Sequence, residues 1–241
     1  ELISKGVKLI KDIEIEEINI GNRSITLNQN TTLFFDYVFN TTGLQSDRIS
    51  KLFNVQHNFT LLPFKGMYWK LKKDCPIKIK SNLYPVPDLN VPFLGVHFTP
   101  NTSGVVSIGP TATPAWGREN YSGLKNIELG MALENLNILF RQYITDKNKF
   151  RQYVHKQAFQ SITPFLVKAA QKLLPKLRPE DIEFSKKVGI RAQLFKLDDM
   201  TLVDDFVAIN TKCSTHVLNA ISPAFTSSFE LADLIINYSK I

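Results

Sequence analysis

The sequence predicts an α+β fold, on three observations. Short β-patterned runs fill the first 110 residues, the apolar period turns helical from about Leu124, and β-patterned runs return after residue 186 ahead of a closing helical stretch. A chain written in that order leaves one layer and later comes back to it. With 241 residues and 44% apolar composition, it can bury one large core or two modest ones.

The elements follow in order. VKLI (7–10), IEIEEINI (13–20) with its alternating isoleucines, SITL (24–27) and LFFDYVFN (33–40) read as strands, separated by Gly21-Asn22 and the turn cluster from Asn28 to Thr32. The last of them runs into TTGLQSD, a glycine turn. FTLLPF, MYWKLK, IKIK, FLGVHFT and VVSIGP continue the strands up to residue 110, broken by Pro63, Gly66, Pro76 and a proline cluster before Gly95. From there Leu124, Ile127, Met131, Leu133, Leu136 and Phe140 form a helical stripe. A second helical region spans about 149–174, with Pro164 at a break or a new first turn. KVGIRAQLF, LVDDFVAI and THVLNAI return to strand patterning, and SPAFTSSFELADLIINY places Ser/Thr ahead of an apolar helical run.

Several function classes are excluded or disfavoured by composition. No apolar run reaches about 18 residues, and the first residues lack a signal-peptide core. Cys75 and Cys213 are too few for a disulfide scaffold and sit in no Cys/His cluster with zinc spacing, so a reducing, cytoplasmic setting and no metal are expected. The net charge of +7 is spread over single lysines without a nucleic-acid motif, which points away from nucleic acid and toward an anionic cofactor, an acidic substrate or a merely solvated face. Eleven glycines form neither GxGxxG nor GxxxxGK[ST].

The stretch 81–110, SNLYPVPDLNVPFLGVHFTPNTSGVVSIGP, concentrates prolines and glycines around one imidazole, His97. Such punctuation stiffens and bends strand connections, so that a rigid sheet can present a side chain to a cleft. A bent structural sheet would carry the same punctuation.

Longer motifs carry a family resemblance. LYPVPD, VPFLGVHFT and IGPTA, with LLPFKGMYWKL before them and GIRAQ, LVDDF and HVLNAISPAFTSS after, resemble the L-2-hydroxyglutarate dehydrogenase/oxidase family. That family is related to D-amino acid oxidase, glycine oxidase and sarcosine oxidase, and the resemblance runs from about Gly6 to Ile236. It implies FAD as cofactor and a chain that crosses between a Rossmann-type FAD domain and a mixed-sheet substrate domain. Residues 1–50 would then be the remainder of the FAD domain, 51–186 the substrate domain and 187–241 the returning FAD-domain segment. The family's glycine fingerprint is not among these residues, so a fragment or truncated homologue, with weakened FAD binding, is expected.

The resemblance also implies the chemistry: oxidation of a 2-hydroxy acid, most like L-2-hydroxyglutarate, by hydride transfer to flavin. His97 in GVHFT is the expected base, with His216 in THVLNA as second choice. Arg191 is the expected two-point carboxylate anchor, and Arg118 in GREN a second one. Lys65 stands where the family usually has arginine, which keeps the charge but loses the fork. Tyr68 is expected to border flavin or substrate. Ser222, Pro223, Ala224, Phe225 and Thr226, a loop entering a helix, are the expected flavin contacts, together with Asn40, Thr42 and Gly43 after their strand. Oxygen or a quinone as electron acceptor, and a membrane-surface association, are left open. So are an amino acid or glycerol 3-phosphate as substrate, and a non-catalytic remnant domain.

Overall fold

The computed structural model describes residues 3–86, 95–146, 150–221 and 224–239. Their strands are β1 (Ile15–Asn19), β2 (Ser24–Leu27), β3 (Thr31–Phe34), β4 (Val38–Asn40), β5 (Phe59–Leu71), β6 (His97–Pro100), β7 (Val106–Gly109), β8 (Thr113–Pro114), β9 (Ile182–Lys196), β10 (Thr201–Leu202), β11 (Val207–Asn210) and β12 (Ser214–Asn219). The α-helices are α1 (Ser46–Leu52), α2 (Leu129–Thr145), α3 (Phe150–Gln160), α4 (Thr163–Ala170) and α5 (Ser228–Ser239). The α+β expectation holds. The chain divides into two compact units: Glu1–Asn58 with Asp205–Ile241, and Phe59–Asp204.

The first unit contains an antiparallel meander, β1-β2-β3, and a second sheet of order β11-β12-β4. In that second sheet β12 runs parallel to β4, with His216 opposite Asn40, and antiparallel to β11. Both β4 and β12 therefore end at the same edge, and the loops after them leave from it. VKLI makes no strand: residues 7–10 are exposed, so their alternation has no partner surface to bury against.

The second unit is built on a sheet of order β10-β9-β5-β7-β6, with β8 also on β5. FTLLPF and MYWKLK form the single strand β5, uninterrupted at Pro63. The Pro63 carbonyl accepts the Ala115 N–H at 2.9 Å, so its backbone faces the β8 side. The proline's missing donor is thus subtracted there and not from the long ladder to β9. IKIK forms no strand, and among the described residues of 81–110 the strand spans are β6 and β7.

Register fixes the two faces of this sheet. Trp69 stands opposite Ile108, Ile108 opposite Phe98, and Leu71 opposite Ile182, so all five point to one face. There they pack with Leu166, Val167 and Ala170 of α4 and with Leu177. The other face carries Leu62, Phe64 and Phe195, covered at that end by Ile138 of α2.

The apolar stripe read from the sequence lies in part on α2, but it is not the face that this helix buries. Leu133, Leu136 and Phe140 are 68%, 54% and 60% exposed, whereas Asn135, Ile138 and Gln142 are buried. The buried face is polar at two of three positions because Gln142 donates to the Met200 carbonyl from it. Pro164 does open a new helix, lying in the first turn of α4.

The division of the chain falls at 58/59 and 204/205, later than expected at both points. β9 pairs with β5 from Phe59↔Lys196 to Leu71↔Ile182, which ties 187–196 to the second unit.

Candidate functional site

His97 opens β6. The next residue, Phe98, is fully buried in the α4-side core, so alternation turns His97 to the opposite face. That is the face of Gly109, its partner on β7. The His97 Nδ1 lies 3.0 Å from the Gly95 carbonyl oxygen. A carbonyl only accepts, so Nδ1 carries the hydrogen, and the neutral ring's Nε2 is left as an acceptor. The ring packs on Tyr84 with centroids 4.6 Å apart. Burial lowers its pKa from the ordinary histidine value; the nearby Lys187 charge adds to that, and the Gly95 bond opposes it.

Tyr68 lies on the same face. A Cβ on Gly109 would come within 3.3 Å of the Tyr68 Cδ1 atom. Burial raises the Tyr68 pKa, with Tyr84 adding to the shift, so the phenol stays protonated and able to donate. Over its ring sits the Lys187 ammonium, 4.5 Å from the centroid. Register brings it there: Met67 pairs with Val188, so Lys187 faces Tyr68, and an irregularity beyond it, with Trp69 opposite Phe184, leaves Tyr68 facing three residues of β9.

Arg191, half-buried, stands opposite Phe64 and so on this face as well. Gly189, between Lys187 and Arg191 by alternation, has nothing within 4 Å of where a Cβ would be. Its φ is not in the left-handed region, so the backbone does not require glycine there. A glycine inside a strand without a conformational reason marks a place where something approaches the backbone. Among the expected residues of the second unit, His97, Tyr68 and Arg191 thus share one face, and Lys187, Gly189 and Tyr84 join them. Sequence reading passed over these three: Lys187 looks like part of a solvated charge run, and only Gly189, a lone glycine in a strand pattern, carried a signal.

Lys65 and Arg118 fall elsewhere. Lys65 lies on the Met67 side of β5, and its Nζ donates to the carbonyl and the Oδ1 of Asn120 at 3.2 and 3.1 Å. Burial lowers its pKa. Asn120 in turn donates to the Gly123 and Lys125 carbonyls, so this lysine fastens a loop. Arg118 is 4% exposed in that loop, its backbone N–H on Glu128 Oε1 at 2.8 Å. Lys65 therefore stands off the face of His97 and holds a loop instead of the substrate it was expected to bind.

In the first unit His216 is fully buried. The Thr42 N–H donates to Asn40 Oδ1, which orients the amide so that Asn40 Nδ2 donates to the Ser46 carbonyl at 2.8 Å and to His216 Nδ1 at 3.1 Å. His216 Nε2–H then donates to Ser214 Oγ at 2.8 Å. Desolvation by burial, reinforced by His57, lowers its pKa to about 4. Both ring nitrogens are committed within the core, so His216 is a neutral packing group and not the second base expected. Asn40, 1% exposed, is likewise spent on holding the turn after β4.

Thr42 and Gly43 are exposed at the carboxyl end of β4, and Gly43 adopts φ +57° with nothing within 4 Å of a Cβ. After β12, residues 224–227 form a turn into α5, and Phe225 is 93% exposed. Ser222 and Pro223 lie outside the described residues. Helix α5 overlies a cavity of about 380 Å³ lined by Phe206, Val217, Leu231, Leu234 and Tyr238. Among the described residues no cluster of His, Cys, Asp and Glu is arranged to hold a metal, and no helix is long and apolar enough to cross a membrane.

Comparison with known proteins finds that residues 1–237 match DAO, the FAD dependent oxidoreductase family. Proteins named L-2-hydroxyglutarate dehydrogenase are similar to the chain. The mitochondrial one of Nematostella vectensis is 35% identical over 86% of this chain and 46% of its own length. That of Homo sapiens is 34% identical over 96% and 50%, and that of Escherichia coli 28% identical over 97% and 55%. The chain spans about half the length of these relatives. Among solved structures, L-alpha-glycerophosphate oxidase from Mycoplasma pneumoniae with FAD bound superposes with a TM-score of 0.66 at 14% identity, covering 99% of this chain and 53% of that one.

Proposed function

Because the chain belongs to the DAO family of FAD-dependent oxidoreductases, we propose that it forms part of an enzyme that oxidises L-2-hydroxyglutarate to 2-oxoglutarate. The single observation that carries this reading is His97: its Nδ1–H is held by the Gly95 carbonyl, which leaves Nε2 as an acceptor beside Tyr68 on a sheet face that also carries Arg191. Similarity to the proteins named above supports the choice of substrate.

The first unit fits the cofactor. Parallel strands β4 and β12 end at one edge, Gly43 leaves its Cβ position open, and the turn 224–227 leads into the N-terminus of α5. Ligands of open parallel sheets lie outside such carboxyl ends, and a helix N-terminus offers unpaired N–H groups to anionic or electron-rich atoms. Thr42, Gly43, Ala224, Phe225 and Thr226 would hold it there. When bound, flavin supplies the acceptor for the hydride that leaves C2 of the substrate.

The chain's own residues supply the rest. Nε2 of His97 takes the hydroxyl proton, with the tilted Tyr84 ring packed against the imidazole to restrict its rotation. Arg191 binds the carboxylate next to C2 through two N–H donors, fixing which hydrogen is presented. The protonated Tyr68 phenol donates to the substrate oxygen.

Anaerobic addition of L-2-hydroxyglutarate to the flavin-loaded protein tests the reading. The expected result is bleaching of the flavin absorption, slowed about 100-fold or more in His97→Gln. Full flavin loading without bleaching rejects this substrate.

A further inference from the structure

L-2-hydroxyglutarate carries two carboxylates, and Arg191 accounts for one. We infer that Lys187 is the anchor for the second carboxylate, and that the Lys187–Gly189–Arg191 segment of β9 is a ruler for dicarboxylates. This rests on the proposed function and deepens it.

Four features carry the inference. Among the described residues Lys187 makes no ion pair; its ammonium lies over the Tyr68 ring 4.5 Å away, and its backbone N–H is bonded to Ser185 Oγ. A cation held over a ring face in this way is placed to meet an incoming anion. Second, Val188 pairs with Met67, so Lys187 faces Tyr68 on the His97 side of the sheet, where its charge acts on the imidazole.

Third, Lys187 and Arg191 project from the same face four residues apart, about 13 Å along an extended strand. Two cations spaced in this way along one face match a ligand with an anion at each end of a short carbon chain better than a ligand with one. Fourth, the residue between them is Gly189, whose missing side chain leaves bare backbone for the carbon chain to lie on. Lys65, one of the cations expected to bind substrate, is committed to the 116–128 loop, so it leaves the second carboxylate to Lys187.

The test compares a diacid with its monoacid twin. Glutarate and valerate binding to the full flavin-loaded chain would be measured by calorimetry, and turnover with L-2-hydroxyglutarate and L-2-hydroxyvalerate alongside. Wild type should prefer the diacid. Lys187→Met keeps the stem on Tyr68 but removes the charge; it should weaken diacid binding about 10- to 100-fold and leave monoacid binding unchanged. Lys187→Arg should restore most of the preference, which a purely structural role would not produce.

Unchanged diacid preference in Lys187→Met, or equal loss on both ligands, overturns the assignment, as does a wild type that binds neither. If wild type binds glutarate with a Lys187-dependent preference yet bleaches with neither hydroxy acid, the anchor stands and the oxidation reading falls.

Discussion

At the scale of single residues, two histidines of similar sequence context acquire opposite roles from their neighbours. His97 keeps one ring nitrogen for a ligand, and His216 keeps none. Each makes a pH prediction. Burial pulls the His97 pKa down, so its neutral, proton-accepting form persists to lower pH than free imidazole allows. The acidic limb of kcat/KM for the flavin-loaded protein should therefore fall below the ordinary value of about 6.5, and should vanish in His97→Gln.

For His216 the folded pKa of about 4 lies below the unfolded value, so the unfolded chain takes up the proton first as pH falls. Its contribution to stability is complete above about pH 6.5 and is lost progressively as pH drops toward about 4, a change of about 3 kcal/mol. Urea titrations across that window should show the slope, and His216→Leu should flatten it. Neither role was legible from the sequence, because GVHFT and THVLNA each place a histidine in a strand. What separates them is the identity of the hydrogen-bond partners, which come from residues up to 176 positions away.

At the scale of elements, glycines decide how closely strands and ligands approach. Gly109 holds φ +138°, and a Cβ there would meet the Met67 carbonyl oxygen at 2.9 Å. Gly109→Ala should cost about 3 kcal/mol, combining backbone strain with overpacking, and should shift the His97 ring resonances because His97 is its cross-strand partner. Gly189→Ala meets nothing and strains no backbone, so its unfolding free energy should stay within about 0.5 kcal/mol of wild type. Thermal unfolding of the two variants side by side checks the contrast. The strands themselves were largely readable as β-patterned runs bounded by turn residues, as SITL, FTLLPF and THVLNAI attest. The exceptions, VKLI and IKIK, have the pattern but no partner strand, and α2 has an apolar stripe on its exposed side.

At the scale of the whole molecule, the second unit is one continuous segment and the first is assembled from both ends of the chain. Closing β4 against β12 must pay the loop entropy of everything between them, a cost that grows slowly with length but brings only a three-stranded sheet in return. Both tryptophans, Trp69 and Trp116, belong to the second unit. Denaturation followed by tryptophan fluorescence should therefore lag behind far-ultraviolet circular dichroism, with the first unit unfolding earlier; coincident curves would mean a single cooperative transition.

The sequence by itself determined the local terms: which runs alternate and form strands, where Pro164 opens a helix, and which motifs tie the chain to its family. These depend on residues near one another along the chain, where period and backbone preference act. The tertiary structure decided which side chains meet. It put Arg191, Lys187 and His97 on one face and turned Lys65 to a loop, because cross-strand register fixes the direction of every side chain in the sheet, and the β5–β9 register is set by pairing between segments more than a hundred residues apart.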